Sequence, residues 1–124
     1  MRMTRLRLSP TVLLALPLVA AACSSGEPPG PPDGAALYRR KGCITCHKDD
    51  GRGGPLAPPL RRAAEYWTRE TLADYLADPA RFVESDARLT SLKTQYNQQM
   101  PPAGLGREQL LLLADHVLGL SEGE

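Results

Sequence analysis

Five consecutive residues, Cys43-Ile44-Thr45-Cys46-His47, constrain this chain more than any other stretch. Two thiols three residues apart, with an imidazole directly after the second, have the spacing of a c-type haem attachment site. Thiols so spaced reach the two vinyl groups on one edge of a porphyrin and become thioethers. His47, held just beyond them, is then delivered to the iron as its proximal ligand. A thioredoxin-like pair also uses Cys-x-x-Cys, but at a strand-to-helix turn, and no strand pattern precedes Cys43. A structural zinc site needs a second pair of ligands, and only Cys23 and His116 remain elsewhere.

The 124 residues amount to one small domain with accessories. Residues 1–22 read as an export signal. Arg2, Arg5 and Arg7 give the positive start, Leu6 to Ala22 is largely apolar, and Ala20-Ala21-Ala22 closes it with small side chains. That stretch is too short and wrongly flanked for a membrane span. Leu-Val-Ala-Ala-Ala-Cys at 18–23 resembles a bacterial lipoprotein lipobox, which makes Cys23 a lipid attachment site and the new N-terminus. Ala20 stands where lipoboxes prefer Leu, so ordinary cleavage after Ala22 and free secretion form the alternative. Cysteine counting favours lipidation, because haem uses Cys43 and Cys46 and leaves Cys23 unpaired in an oxidising compartment. Residues 23–33, rich in Pro and Gly, read as a semi-rigid tether between anchor and domain. Ser24 after the cysteine resembles an outer-membrane sorting signal, for a cell that has such a membrane.

Without residues 1–22 the chain holds 12 basic and 14 acidic residues, a balance of −2. With no Lys/Arg tract, this argues against nucleic acid as a partner.

The folded part, residues 34–120, is small for a hydrophobic core, and a buried porphyrin would enlarge it. Helical periodicity recurs and strand-like alternation is absent, so the expected class is all-α, with three to five helices. Asp33 can cap a first helix running toward Lys41, on which Gly34 and Tyr38 share a face. Gly34 either lets a second helix cross closely or merely ends the linker. Thr68 can cap a helix with the stripe Leu72, Ala73 and Leu76, which Asp78-Pro79 ends. Trp67, the only Trp, either donates its indole N–H to a haem propionate or packs in the core. Between Pro79 and Met100 the chain is mostly polar, with one short helix expected at 87–96 on Leu89, Leu92 and Tyr96. The last helix is the clearest: Leu110, Leu113, Ala114, Val117 and Leu118 form its apolar stripe. Gly106 takes the N-cap, Leu105 and Leu110 can staple across it, and Gly119 is expected just past the end. Residues 121–124 are expected to be a disordered tail.

The iron face opposite His47 needs a ligand or stays open. Beyond the signal the chain holds one methionine, Met100, in the polar and proline-rich run Gln98-Gln99-Met100-Pro101-Pro102. That is not a core pattern, and the prolines stiffen a loop that could present a thioether. His116, the rival, falls off the apolar stripe of the last helix and should face solvent or a neighbour.

Gly34-x-x-x-Tyr38, Cys43-x-x-Cys46-His47, a Pro-x-Leu segment, Trp67, Met100-Pro101 and the Leu-rich last helix together resemble a class I (mitochondrial-type) cytochrome c domain. The resemblance covers about Gly34 to Leu120. It implies one covalent haem c whose iron is ligated by His47 and Met100. It also implies that the first and last helices cross at Gly34 and Tyr38. A proline carbonyl is further implied as acceptor for the other imidazole N–H. Ala57-Pro58-Pro59-Leu60 looks like that segment, naming Pro58, with Gly54-Pro55-Leu56 competing. The sequence departs from the family at His116, where an aromatic residue is usual, and in a longer stretch between Pro79 and Met100.

An iron with both faces occupied favours a one-electron carrier over an enzyme, and thioether ligation raises the potential. Residues 34–62 carry seven basic side chains against Asp49 and Asp50, while residues 63–124 carry five against ten acidic ones. This asymmetry predicts a basic side that steers docking to an acidic face on a redox partner. Three functions follow: a periplasmic carrier tethered to a membrane, a haem subunit of a larger redox complex, or a small-ligand sensor or peroxidase-like protein with a labile sixth ligand.

Overall fold

The computed structural model describes residues 33–122. The expected export signal, the lipid site at Cys23 and most of the tether lie outside them. The described residues are all-α, in the order α1 (Gly34–Arg40), α2 (Cys43–His47), a 3₁₀ turn (Ala63–Glu65), α3 (Arg69–Ala77), α4 (Pro79–Val83), α5 (Ala87–Tyr96) and α6 (Arg107–Gly119). The count is one above that expected from sequence. The short α2 and α4 are too brief to show a periodicity, although Asp78 capping with Pro79 at the first position marks α4 locally.

The expected caps form. The Asp33 carboxylate accepts from the Ala36 N–H at 2.6 Å. Thr68 and Thr71 cap the start of α3 reciprocally. Asp86, for which no cap was expected, also caps α5 by accepting from the N–H groups of Arg88 and Leu89. Each satisfies donors that the first helical turn leaves without intrahelical partners.

α6 is the axis of the fold and packs against both α1 and α3. Leu110, Leu113, Ala114 and Val117 face inward and meet Leu37 and Tyr38 from α1 and Leu72, Ala73 and Leu76 from α3. Gly34 lies at the crossing of α1 and α6. A β-carbon there would stand 2.2 Å from the Leu112 carbonyl oxygen, so the two backbones touch directly and Gly34 does more than end a linker. His116 takes the place beside that contact, its ring 5.0 Å from Tyr38 and tilted by 58°.

Two boundary expectations change. Gly119 remains the last helical residue and Leu120 caps the helix in ordinary right-handed geometry, so no left-handed glycine stop is used. Ser121 is not loose tail: its hydroxyl donates to the Leu60 carbonyl at 3.3 Å and accepts from the Ala64 N–H at 3.5 Å.

Candidate haem site

α1 is capped by Lys41, and Gly42 follows in the left-handed region at φ +76°, turning the chain directly into α2. The single turn of α2 then places Cys43, Cys46 and His47 on the wall of one cavity. Both thiols are free and half-buried. Burial pushes the Cys43 thiol up, which keeps it protonated at neutral pH.

Besides Tyr38, His47 is the one buried ionisable group among the described residues. Its Nδ1 lies 2.9 Å from the Pro58 carbonyl oxygen. A carbonyl only accepts, so Nδ1 carries the proton and Nε2 keeps its lone pair for a metal. Burial lowers the imidazole pKa, against the opposing effect of the bond to Pro58. A neutral ring in a fixed tautomer is the form that ligates iron.

The chain reaches this arrangement through a folded-back loop. Gly53 N–H donates to the His47 carbonyl at 2.9 Å, and Gly54 N–H to the Ala57 carbonyl at 3.0 Å. Gly53 sits at φ +70°, and a β-carbon on it would come within 2.6 Å of the Ala57 oxygen and Pro58 carbon. Only glycine permits both that dihedral and that approach. The loop thereby presses Pro58, not the competing Pro55, onto His47. Just after His47, Lys48 adopts φ +66° with ψ 162°, a region that is almost glycine-only and costs another residue about 1–3 kcal/mol. The buried Tyr38 hydroxyl fixes it by donating to the Lys48 carbonyl at 2.7 Å. Burial holds that phenol far above its ordinary pKa, so it remains a donor.

Met100 approaches the same cavity from the loop between α5 and α6, half-buried against the core cluster. Ala103 N–H donates to the Leu76 carbonyl at 2.9 Å and pins this loop to the end of α3. The inner wall of the cavity is largely apolar, with Lys41, Lys93, Gln98 and Gln99 also lining it. Leu76, Val83, Leu89 and Leu113 supply buried side chains from four helices, while Leu92 and Tyr96 extend the wall along α5. Its volume is about 230 Å³, whereas close-packed interiors leave few voids larger than a water molecule. Two thiols, a neutral imidazole and a thioether on a largely apolar cavity are a donor set that fits a haem.

Trp67 stands elsewhere. Its ring stacks on Tyr75 at 4.8 Å and meets the edge of Phe82 at 5.9 Å, with the Arg88 guanidinium 5.4 Å above it. Tyr75 lines the cavity and Trp67 does not, so the indole supports the wall from behind. Core packing, the alternative to a propionate bond, describes the geometry better, because the flat Tyr75 ring offers the larger apolar partner. Gly53, Lys48 and Gln98 were not singled out by sequence reasoning. The cluster Gly51-Arg52-Gly53-Gly54 signals a special turn, but nothing local reveals what it presses against.

A family model described as Cytochrome c matches residues 32–121. The chain therefore belongs to the cytochrome c family, as a class I domain. Neither curated proteins nor solved structures gave a match. Domains of this family bind haem c and its iron covalently, and Cys43, Cys46 and His47 supply the attachment motif here. They are in general electron-transfer domains, typically exported or periplasmic. Among the described residues no helix is long and apolar enough to cross a membrane.

Proposed function

We propose that this protein is a one-electron carrier, a monohaem cytochrome with His47 and Met100 as axial ligands, held on the periplasmic side of a membrane by lipidated Cys23. The observation that carries this reading is the meeting of Cys43, Cys46, His47 and Met100 on one apolar cavity, from segments more than fifty residues apart. Bound haem would supply a reversible one-electron couple. The chain's own part is to fix His47 through Pro58, to present Met100 from a braced loop, and to exclude water with the leucines of α3, α5 and α6. With both iron faces assigned, no position is left for a substrate, which supports a carrier over an enzyme.

Partner choice rests on charge. Arg39, Arg52 and Arg62 are matched by Asp49, Asp50 and Glu65 at 3.1, 2.8 and 2.6 Å. Lys41 and Lys93 stand at the cavity itself. These lysines would meet an acidic face on a redox partner and raise the encounter rate. The exposed Leu56 and Leu112, 50% and 37% accessible, favour a second reading as a subunit of a larger redox complex. Co-purification with a large partner would select that reading.

The test is spectroscopic. The oxidised holoprotein should show a methionine–iron charge-transfer band, and the reduced form should resist carbon monoxide. Met100→Ala should abolish the band and admit carbon monoxide. A band that survives the substitution removes Met100 from the ligand set, and ready binding by the wild type points to the sensor or peroxidase-like reading. Mass spectrometry of the mature protein reports haem on Cys43 and Cys46 and lipid on Cys23 together. An association rate with the partner that is indifferent to salt would exclude steering by the lysines.

A further inference from the structure

Three consecutive carbonyls in the segment Leu56-Ala57-Pro58 each accept a hydrogen bond from a different place. Pro58 takes the Nδ1–H of His47, and Ala57 takes the N–H of Gly54, which closes the loop on itself. Leu56 takes the side-chain amide of Gln98, two residues before Met100. The segment is a stiff shelf, because the Gly53 backbone lies against it with no room for a side chain.

The Met100 loop has ties on both sides of the methionine. After it, Ala103 N–H holds the Leu76 carbonyl at 2.9 Å, and the Lys41 ammonium reaches the Gly104 carbonyl at 3.4 Å. Before it, α5 ends at Asn97 in the left-handed region, and the chain then runs exposed through Gln98. The bond from Gln98 to Leu56 is the tie on that side. The Leu56 side chain is half exposed and lends little packing, so its carbonyl is the point of attachment.

We propose that Gln98 is a positioning residue for Met100: its amide clamps the methionine loop onto the same short segment that orients His47. The two iron-facing side chains then share one support, and loosening the clamp frees Met100 without disturbing His47. This rests on the reading that Met100 is an axial ligand.

The experiment uses the full-length holoprotein and follows imidazole binding to the oxidised form, which waits on release of Met100. Gln98→Ala and Gln98→Glu both remove the donor, the second without changing size. Each should raise the imidazole binding rate about threefold to fivefold, the scale of one neutral hydrogen bond, and weaken the methionine–iron band. Gln98→Arg restores a donor that stays protonated and cannot itself ligate iron, so it should return the rate toward wild type. The unfolding midpoint should fall only slightly in the Ala and Glu variants, by no more than the same single hydrogen bond, and should return toward wild type in the Arg variant. Wild-type rates in the Ala and Glu variants would overturn the clamp, as would an elevated rate in the Arg variant. If the wild type lacks the band, the assignment of Met100 fails and takes the clamp with it. A band that persists with unaltered rates removes the clamp alone.

Discussion

Gly34 and Gly53 each sit where a β-carbon would strike backbone, 2.2 Å from the Leu112 oxygen and 2.6 Å from the Ala57 oxygen. The resemblance ends there. Gly34 has ordinary helical geometry, and its requirement comes wholly from α6 lying across it. Gly53 needs its left-handed φ as well as the space, and what it positions is a single carbonyl over His47. The helix crossing buries apolar side chains and sets stability. The loop buries little and sets the geometry of the site. One molecule thus places its fold and its chemistry on different kinds of contact.

Substitutions separate the two. Gly34→Ala should have the largest effect, a loss of about 3 kcal/mol from forcing α1 off α6, read as a fall in the denaturation midpoint. The methionine–iron band of the molecules still folded should be unaltered. Gly53→Ala should cost about 2 kcal/mol from the strained dihedral and the displaced loop. Its signature is the reduction potential. Losing the Pro58 acceptor makes His47 a weaker donor to the iron, so the potential should rise by on the order of 40 mV, one hydrogen bond's worth. If Gly34→Ala moved the potential as far, the division between crossing and loop would collapse.

Tyr38 belongs to both regions, with its ring in the crossing and its hydroxyl on Lys48 beside the site. Tyr38→Phe keeps the ring and should cost about 1 kcal/mol. A small shift in potential should accompany it, because the backbone after His47 loses its restraint. Titration of potential and stability on one sample checks the pair.

The smallest effect concerns acid. Burial lowers the His116 pKa, and nearby Arg39 adds to it, against Asp49 and Asp33. The folded chain therefore binds this proton less readily than the unfolded chain does. The contribution is present above the unfolded value of about 6.5 and is lost as pH falls below it. His116→Phe should remove this dependence, so the variant gains on wild type between pH 7.5 and pH 5.5 in denaturant titrations. Equal pH slopes would show that His116 does not titrate against folding.

Much of the fold was legible because the signals are local. Asp33, Thr68 and the stripe from Leu110 to Leu118 each state a helix within one or two turns of chain, and all three helices form. Cys43, Cys46 and His47 are readable for the same reason, since attachment chemistry sets their spacing. That Met100 leaves the core pattern was legible from its polar, proline-rich run, and the structure puts it on the cavity wall. Trp67 was not: an indole before a helix looks alike whether it meets a propionate or the Tyr75 ring. Gln98 carries no signal at all, because an amide in a polar loop is unremarkable until its partner carbonyl is known.

The sequence by itself determined the class of cofactor, the all-α character and the polarity of the chain, since each depends on residue types at short separations. The tertiary structure alone decided which proline faces His47, why Gly34 cannot bear a side chain, and how the loops before and after the cavity are tied together. Those facts are distances between residues far apart in the chain, fixed only when α6 has packed on α1 and α3.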